Sequence, residues 1–155
     1  MNSFILILHS WLRWLILIAA LWTVIRAIGG MAGHKRYTKA DNRSSLFFQI
    51  FMDLQLLVGI LTYLLRGWTQ RWSDPAALMS NSAARFLAME HVVLMVIAFV
   101  LVHVGRKSVK KANIDRKKHS RALLFFGLAL LLILAAIPWP FRADLGFHPW
   151  FRFAG

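Results

Sequence analysis

Four long apolar runs dominate the chain, Phe4 to Ile28, Leu46 to Leu65, Phe86 to Gly105 and Ala122 to Phe141, and polar residues gather between them. Each run is about 20 residues or more, and at ~1.5 Å per residue that length crosses a hydrocarbon layer of ~30 Å. A backbone in lipid must satisfy its own hydrogen bonds, and the runs lack the two-residue alternation of barrel strands. The pattern therefore predicts an all-α fold, an integral membrane four-helix bundle forming a single transmembrane domain over residues 1–155, with no internal repeat. Short connections make sequential helices antiparallel neighbours, in up-down-up-down order. The first run is too long for a signal-peptide core and lacks a basic n-region or a small-residue cleavage site, so helix 1 is expected to stay in the mature protein.

Turn and cap residues agree with these spans. Gly29 and Gly30 are expected to close helix 1, and Asp74-Pro75 breaks the second connection before Asn81 or Ser82 caps helix 3. Pro138-Trp139-Pro140 ends helix 4, where Trp139, Phe141, Trp150 and Phe151 read as an aromatic belt, matched after helix 2 by Trp68 and Trp72. Gly59, Ala98 and Gly127 are candidates for close helix contact.

Composition narrows the class further. With 59% hydrophobic and 16% charged residues, a water-soluble monomer with one core is excluded. The absence of Cys excludes a disulfide scaffold, an iron-sulfur protein and a Cys-ligated zinc site. A net charge of +13 would point to nucleic acid in a soluble protein, so the placement of the 19 basic residues decides. Twelve of them lie in two connections: Lys35, Arg36, Lys39 and Arg43 in the first, and Arg106, Lys107, Lys110, Lys111, Arg116, Lys117, Lys118 and Arg121 in the third. The second connection and the tail hold five. The positive-inside rule puts the first and third connections in the cytoplasm and both termini outside. The charge then belongs to orientation and to anionic lipid headgroups, with no nucleic-acid partner.

Ionisable groups inside a span cost ~2.5 to 3.5 kcal/mol each on translocon scales and need a reason. They are His9 and Arg13 in helix 1, Asp53 with the polar Gln55 in helix 2, and Glu90, His91 and His103 in helix 3. His9 lies five residues beyond Phe4 and His91 five beyond Phe86, so both fall roughly 8 Å below the outer interface. Two imidazoles at one depth on diagonal helices meet the requirement of a bis-histidine b-type haem. The other reading is a pair of interfacial histidines bonded to headgroups or backbone. Arg13, four residues after His9, shares its face. Three roles stand for it: contact with a haem propionate, an ion pair with Glu90, or snorkelling to the interface. Glu90 could also accept a hydrogen bond near the ligand helix or hold a proton near a quinol. His103, Asp53 and Glu90 form a possible secondary polar site: His103 is read either as interfacial or as the partner of Asp53. A second haem between His103 and His119 would need a ligand from a basic connection, where His34 and His119 are expected to be solvated. A zinc or copper site from His9, His91 and Glu90 is a further alternative; phosphate-loop and HExxH patterns are absent.

The strings His9-Ser10-Trp11-Leu12-Arg13-Trp14, Asp53-Leu54-Gln55, Met89-Glu90-His91, Ile137-Pro138-Trp139-Pro140-Phe141 and Pro149-Trp150-Phe151-Arg152 resemble those of small bacterial four-helix membrane proteins labelled cytochrome B. The resemblance covers nearly the whole chain. It implies a multi-pass protein of the bacterial inner membrane, with His9 and His91 as the haem-iron ligands. His103 falls in none of the shared strings, which fits one haem rather than two. A more distant similarity to diheme quinol-oxidising cytochromes breaks down at a missing fourth ligand. The expected function is electron transfer by one haem b between quinol and a periplasmic or membrane partner. The alternative is a non-catalytic structural subunit of a larger respiratory or photosynthetic membrane complex. Whether the chain acts as an oxidoreductase component or a simple carrier stays open at this point.

Overall fold

A computed structural model of the chain describes residues 2–146 and 149–153. It is all-helical among the described residues: α1 (Asn2–Ala32), α2 (Lys39–Leu65), short α3 (Pro75–Ser80) and α4 (Ser82–Arg85), α5 (His91–Lys111) and α6 (Asp115–Ala136). A π-helical turn, Phe86–Glu90, joins α4 to α5 without a break, so residues 82–111 form one continuous rod. Four of these rods are long and apolar enough to cross a membrane. Their outward faces carry large apolar side chains, among them Ile18, Ile25, Leu57 and Leu131, each at least 60% exposed. A surface so covered suits lipid and not water.

The contacts order the helices. Gln55 and Gly59 of α2 meet His9 of α1, while Asp41 at the start of α2 meets Arg26 near the end of α1. Arg106 of α5 meets Ser45, and Tyr63 of α2 meets Ala88; His91 meets Ala136 and Gly105 meets Phe125. Consecutive rods therefore run antiparallel, with α2 and α6 each packed between α1 and α5. One end of the bundle holds the start of α1 and the chain's tail; the opposite, basic end holds the first and third connections. Between them Ile16, Ala20, Phe48, Met52, Ala98, Val102, Phe126, Ala129 and Ile133 fill the centre.

The helices differ from the apolar runs mostly at the basic end. Helix 2 begins at Lys39, seven residues before Leu46. Its buried stripe, Asp41, Ser44, Ser45, Phe48, Met52 and Gln55, continues through polar residues that hydropathy discounts. Thr38 and Asp41 form a capping box, with Asp41 Oδ2 accepting from the Thr38 N–H at 2.7 Å. Helix 1 runs to Ala32, so Gly29 and Gly30 lie inside it. They do not end it, because Gly30 is needed where the ring of His119 packs against its backbone. Helix 3 extends to Lys111, burying Arg106 between Ser45 Oγ (2.7 Å) and the Asn42 carbonyl (3.0 Å). Helix 4 stops at Ala136, five residues short of Phe141. Beside Gly30, Gly105 has a close contact, where a Cβ would lie 2.6 Å from Phe125 Cβ; Gly59 is in ordinary contact and Gly127 is roomy.

The stop at Ala136 has a specific consequence. In a continuing helix the carbonyls of Leu134 and Ala136 would accept from residues 138 and 140. Both are proline and have no N–H. The freed carbonyls are taken by side chains instead: Trp139 Nε1 donates to Leu134 O at 2.8 Å, and His91 Nδ1 bonds Ala136 O at 2.8 Å.

Candidate functional site

At the end holding the chain termini, α1 and α5 face each other across a cavity of about 360 Å³ lined mainly by apolar side chains of the four rods. His9 projects from α1 and His91 from α5, with ring centres 6.2 Å apart and planes inclined by 64°. His91 is aimed by its bond to Ala136 O, which leaves Nε2 toward the cavity without a partner among the described residues. A neutral imidazole that gives its Nδ1 proton to a carbonyl presents Nε2 as a lone pair. His9 is held from α2, where Gln55 Nε2 donates to the His9 carbonyl at 3.1 Å and lies 3.3 Å from His9 Nε2. Its Nδ1 is buried and unpartnered, as is Gln55 Oε1. Gly59 lies alongside, its missing side chain leaving ordinary contact room for the His9 ring.

The π turn supports His91 from behind. A π turn brings residues five apart together, and Arg85 Nε lies 2.9 Å from Glu90 Oε1. Glu90 is therefore the partner of Arg85, and of the three roles open to Arg13 the ion pair with Glu90 does not form. Arg13 donates from Nη2 to the carbonyl of Trp150 at 2.7 Å and stacks over Trp14, while its Nε is buried without a partner. Trp14 and Trp11 donate to the Trp150 and Arg152 carbonyls at 3.1 Å each. The tail thus straps back onto α1, with Phe151 stacked on Trp14, where the sequence predicted only a belt along the interface. Arg152 joins Arg13 in the cavity wall.

The remaining site residues are elsewhere. His103 Nε2 lies 3.1 Å from Asp53 Oδ1, on the seam between α2 and α5, and both side chains are a third or more exposed. This pair is separate from His9 and His91. No group of three or more His, Asp or Glu able to hold a metal ion occurs among the described residues, so the zinc or copper alternative through Glu90 has no geometry behind it. His119, expected in solvent, is 1% exposed and packs against Gly30 and Tyr37. His103 is paired with Asp53 and has no contact with His119 among the described residues. The signal was legible: the buried stripe Ala122, Phe126, Ala129, Ile133 on α6 reaches His119 when extended back one turn. Burial raises the Tyr37 phenol above its ordinary value, so Tyr37 adds no negative charge beside His119.

The residues present fit a haem in three respects. His9 and His91 come from facing helices to one cavity with ring centres 6.2 Å apart. Nε2 of His91 has no partner among the described residues, and Nδ1 of His9 offers a lone pair once its proton sits on Nε2 and the Gln55 amide is turned so that Oε1 accepts it. Arg13 and Arg152 offer guanidinium groups to carboxylates at the same cavity. Compared with family models, curated proteins and solved structures, the chain matches none.

Proposed function

We propose that the chain is a membrane-bound b-type cytochrome, holding one haem b between His9 and His91 and passing single electrons between quinol and a periplasmic or membrane partner. The observation that carries this reading is the imidazole pair at 6.2 Å across a cavity, with one ring oriented by the Ala136 carbonyl that Pro140 left free. Four rods of spanning length and two basic connections support a bundle in a bacterial inner membrane, with both termini and the cavity on the outer side. Haem, when bound, supplies a one-electron iron couple. The chain supplies the rest. Ala136 fixes the tautomer and tilt of His91, Gln55 positions His9, and Arg13 with Arg152 gives propionates a positive wall. Arg85 neutralises Glu90, so the carboxylate does not repel an anionic group beside His91.

The test is a reduced-minus-oxidised spectrum of protein expressed in a haem-replete host and purified in detergent. The expected result is a low-spin b-type signature lost in His9→Ala and in His91→Ala, with folding checked by helix content. Absence of a Soret band from folded protein overturns the reading; a band that survives both substitutions overturns the ligands.

The half-exposed Asp53–His103 pair favours a second reading, a subunit of a larger complex. An ionisable pair facing outward at membrane depth is best sheltered by another helix. Co-purification with a larger complex supports it, and recovery as a stable isolated protein counts against it.

A further inference from the structure

A second cavity, about 350 Å³, opens at the basic end between the last turn of α1 and the first turn of α2. Arg26, Lys35, Arg36, Thr38, Asp41 and His119 line it. Its single acid is already satisfied: Asp41 accepts from Arg26 Nε at 2.8 Å, from the Thr38 N–H at 2.7 Å and from the Thr38 hydroxyl at 2.6 Å. Arg26 is committed to that pair, with Nη2 donating to Thr38 Oγ1 at 3.1 Å. Lys35 and Arg36 are exposed and have no acceptor among the described residues. His119 is the unusual member. Its side chain is 1% exposed, it lines the cavity, and both ring nitrogens are buried without a partner. An unmade hydrogen bond on a buried group costs ~1–3 kcal/mol, so an imidazole here is retained against a penalty that an apolar ring would avoid.

The complement to two free cations and a buried unpaired donor is a group that only accepts and carries negative charge. A cation is repelled, and an apolar ligand leaves His119 unpaired. We infer that this cavity binds a phosphate group, with Lys35 and Arg36 supplying charge at its mouth and His119 donating from its floor. Free inorganic phosphate and the headgroup of an anionic phospholipid share this chemistry. A basic pocket between spanning helices at headgroup level suits the lipid source. The inference uses neither His9 nor His91 and is independent of haem; the lipid source alone rests on the membrane reading.

Full-length protein with ¹⁵N-labelled histidine, in zwitterionic detergent, is titrated with inorganic phosphate and, separately, with short-chain phosphatidylglycerol. The His119 ring signal is identified by its loss in His119→Gln. The expected result is a saturable shift of that signal, weakened tenfold or more in Lys35→Gln/Arg36→Gln. The control Lys110→Gln/Lys111→Gln, which removes two exposed cations of the other basic connection, stays as the parent. A response to phosphatidylglycerol alone supports the site and assigns the lipid headgroup. Responses to both, or to phosphate alone, support it and assign a site open to free phosphate. No response to either overturns the inference, as does equal weakening in the two double variants. Because the readout is His119 and not a spectrum of the cofactor, its failure and the failure of the haem reading are separate results.

Discussion

Gly29 and Gly30 are adjacent in the last turns of α1, and the structure gives them opposite sensitivities. Nothing lies within 4 Å of a Cβ built on Gly29, whereas one built on Gly30 overlaps the His119 ring. Gly29→Ala gains only the lower backbone entropy of alanine in a helix, ~0.5–1 kcal/mol. Gly30→Ala gains the same but must move a ring that is 1% exposed and backed by Tyr37. Overpacking of that kind costs ~1–3 kcal/mol and outweighs the entropy. In a chain of this size 1 kcal/mol shifts the melting temperature by roughly 2–4 °C. Thermal unfolding in detergent should therefore place Gly29→Ala ~1–4 °C above the parent and Gly30→Ala several degrees below. Adding His119→Ala to Gly30→Ala removes the overlapping ring, so the double variant should melt above the sum of the single effects. Equal shifts of the two glycine variants in one direction would refute the packing of α6 against α1 at His119.

Asp41→Ala removes both the Arg26 pair and the α2 cap and should cost ~1–3 kcal/mol; Asp41→Asn keeps a cap acceptor and should lose less, by the same melting assay. Pro140→Ala returns an N–H that competes for the Ala136 carbonyl. The His91 Nδ1 resonance should then move, while Pro138→Ala, which acts on Leu134 and Trp139, leaves it in place. The chain has no Cys, so single cysteines report orientation cleanly. Ser80→Cys should react with an impermeant maleimide in spheroplasts and Lys110→Cys only after lysis; the reverse pattern would invert the topology.

Apolar length made the four rods legible, because lipid-facing side chains need no partner and announce themselves by hydropathy alone. Caps chosen by local chemistry were legible too: Asp74 accepts from Ala77 and Asn81 from Ala84, both at the expected breaks. The common depth of His9 and His91 was readable by counting from one end of each run. It survived errors in both starting points, since α1 begins earlier than Phe4 and the rod of α5 earlier than Phe86. What hid was polar burial. Asp41, Ser44, Ser45, Arg106 and His119 sit in runs of charge and hydroxyl groups that read as solvated loops, yet each is at most 6% exposed. Their helical spacing continues the buried stripes, and for Asp41, Ser45 and Arg106 it is partners on other helices that explain why they are tolerated.

The two ends of the bundle are built on different principles, and the difference bears on function. At the basic end nearly every buried polar group is tied to a neighbour: Arg26 to Asp41, Arg106 to Ser45 and Asn42, and Arg121 Nη1 to the Ser108 carbonyl at 2.7 Å. His119 stands out there because that network passes it by. At the other end the ties of the cavity residues run to the backbone, from Arg13 to Trp150 and from His91 to Ala136, and the atoms left unpartnered belong to the cavity wall: His9 Nδ1, Arg13 Nε and Gln55 Oε1. Backbone carbonyls hold a side chain in place without using a second side chain or adding charge. Side chains fixed in that way keep their remaining polar atoms free for a ligand, at a site whose rigidity comes from helix ends and not from the ligand itself. Unsatisfied atoms that converge on one cavity are costly to keep in a protein with nothing to bind. That convergence, more than the presence of two histidines, is the physical argument for a cofactor between α1 and α5.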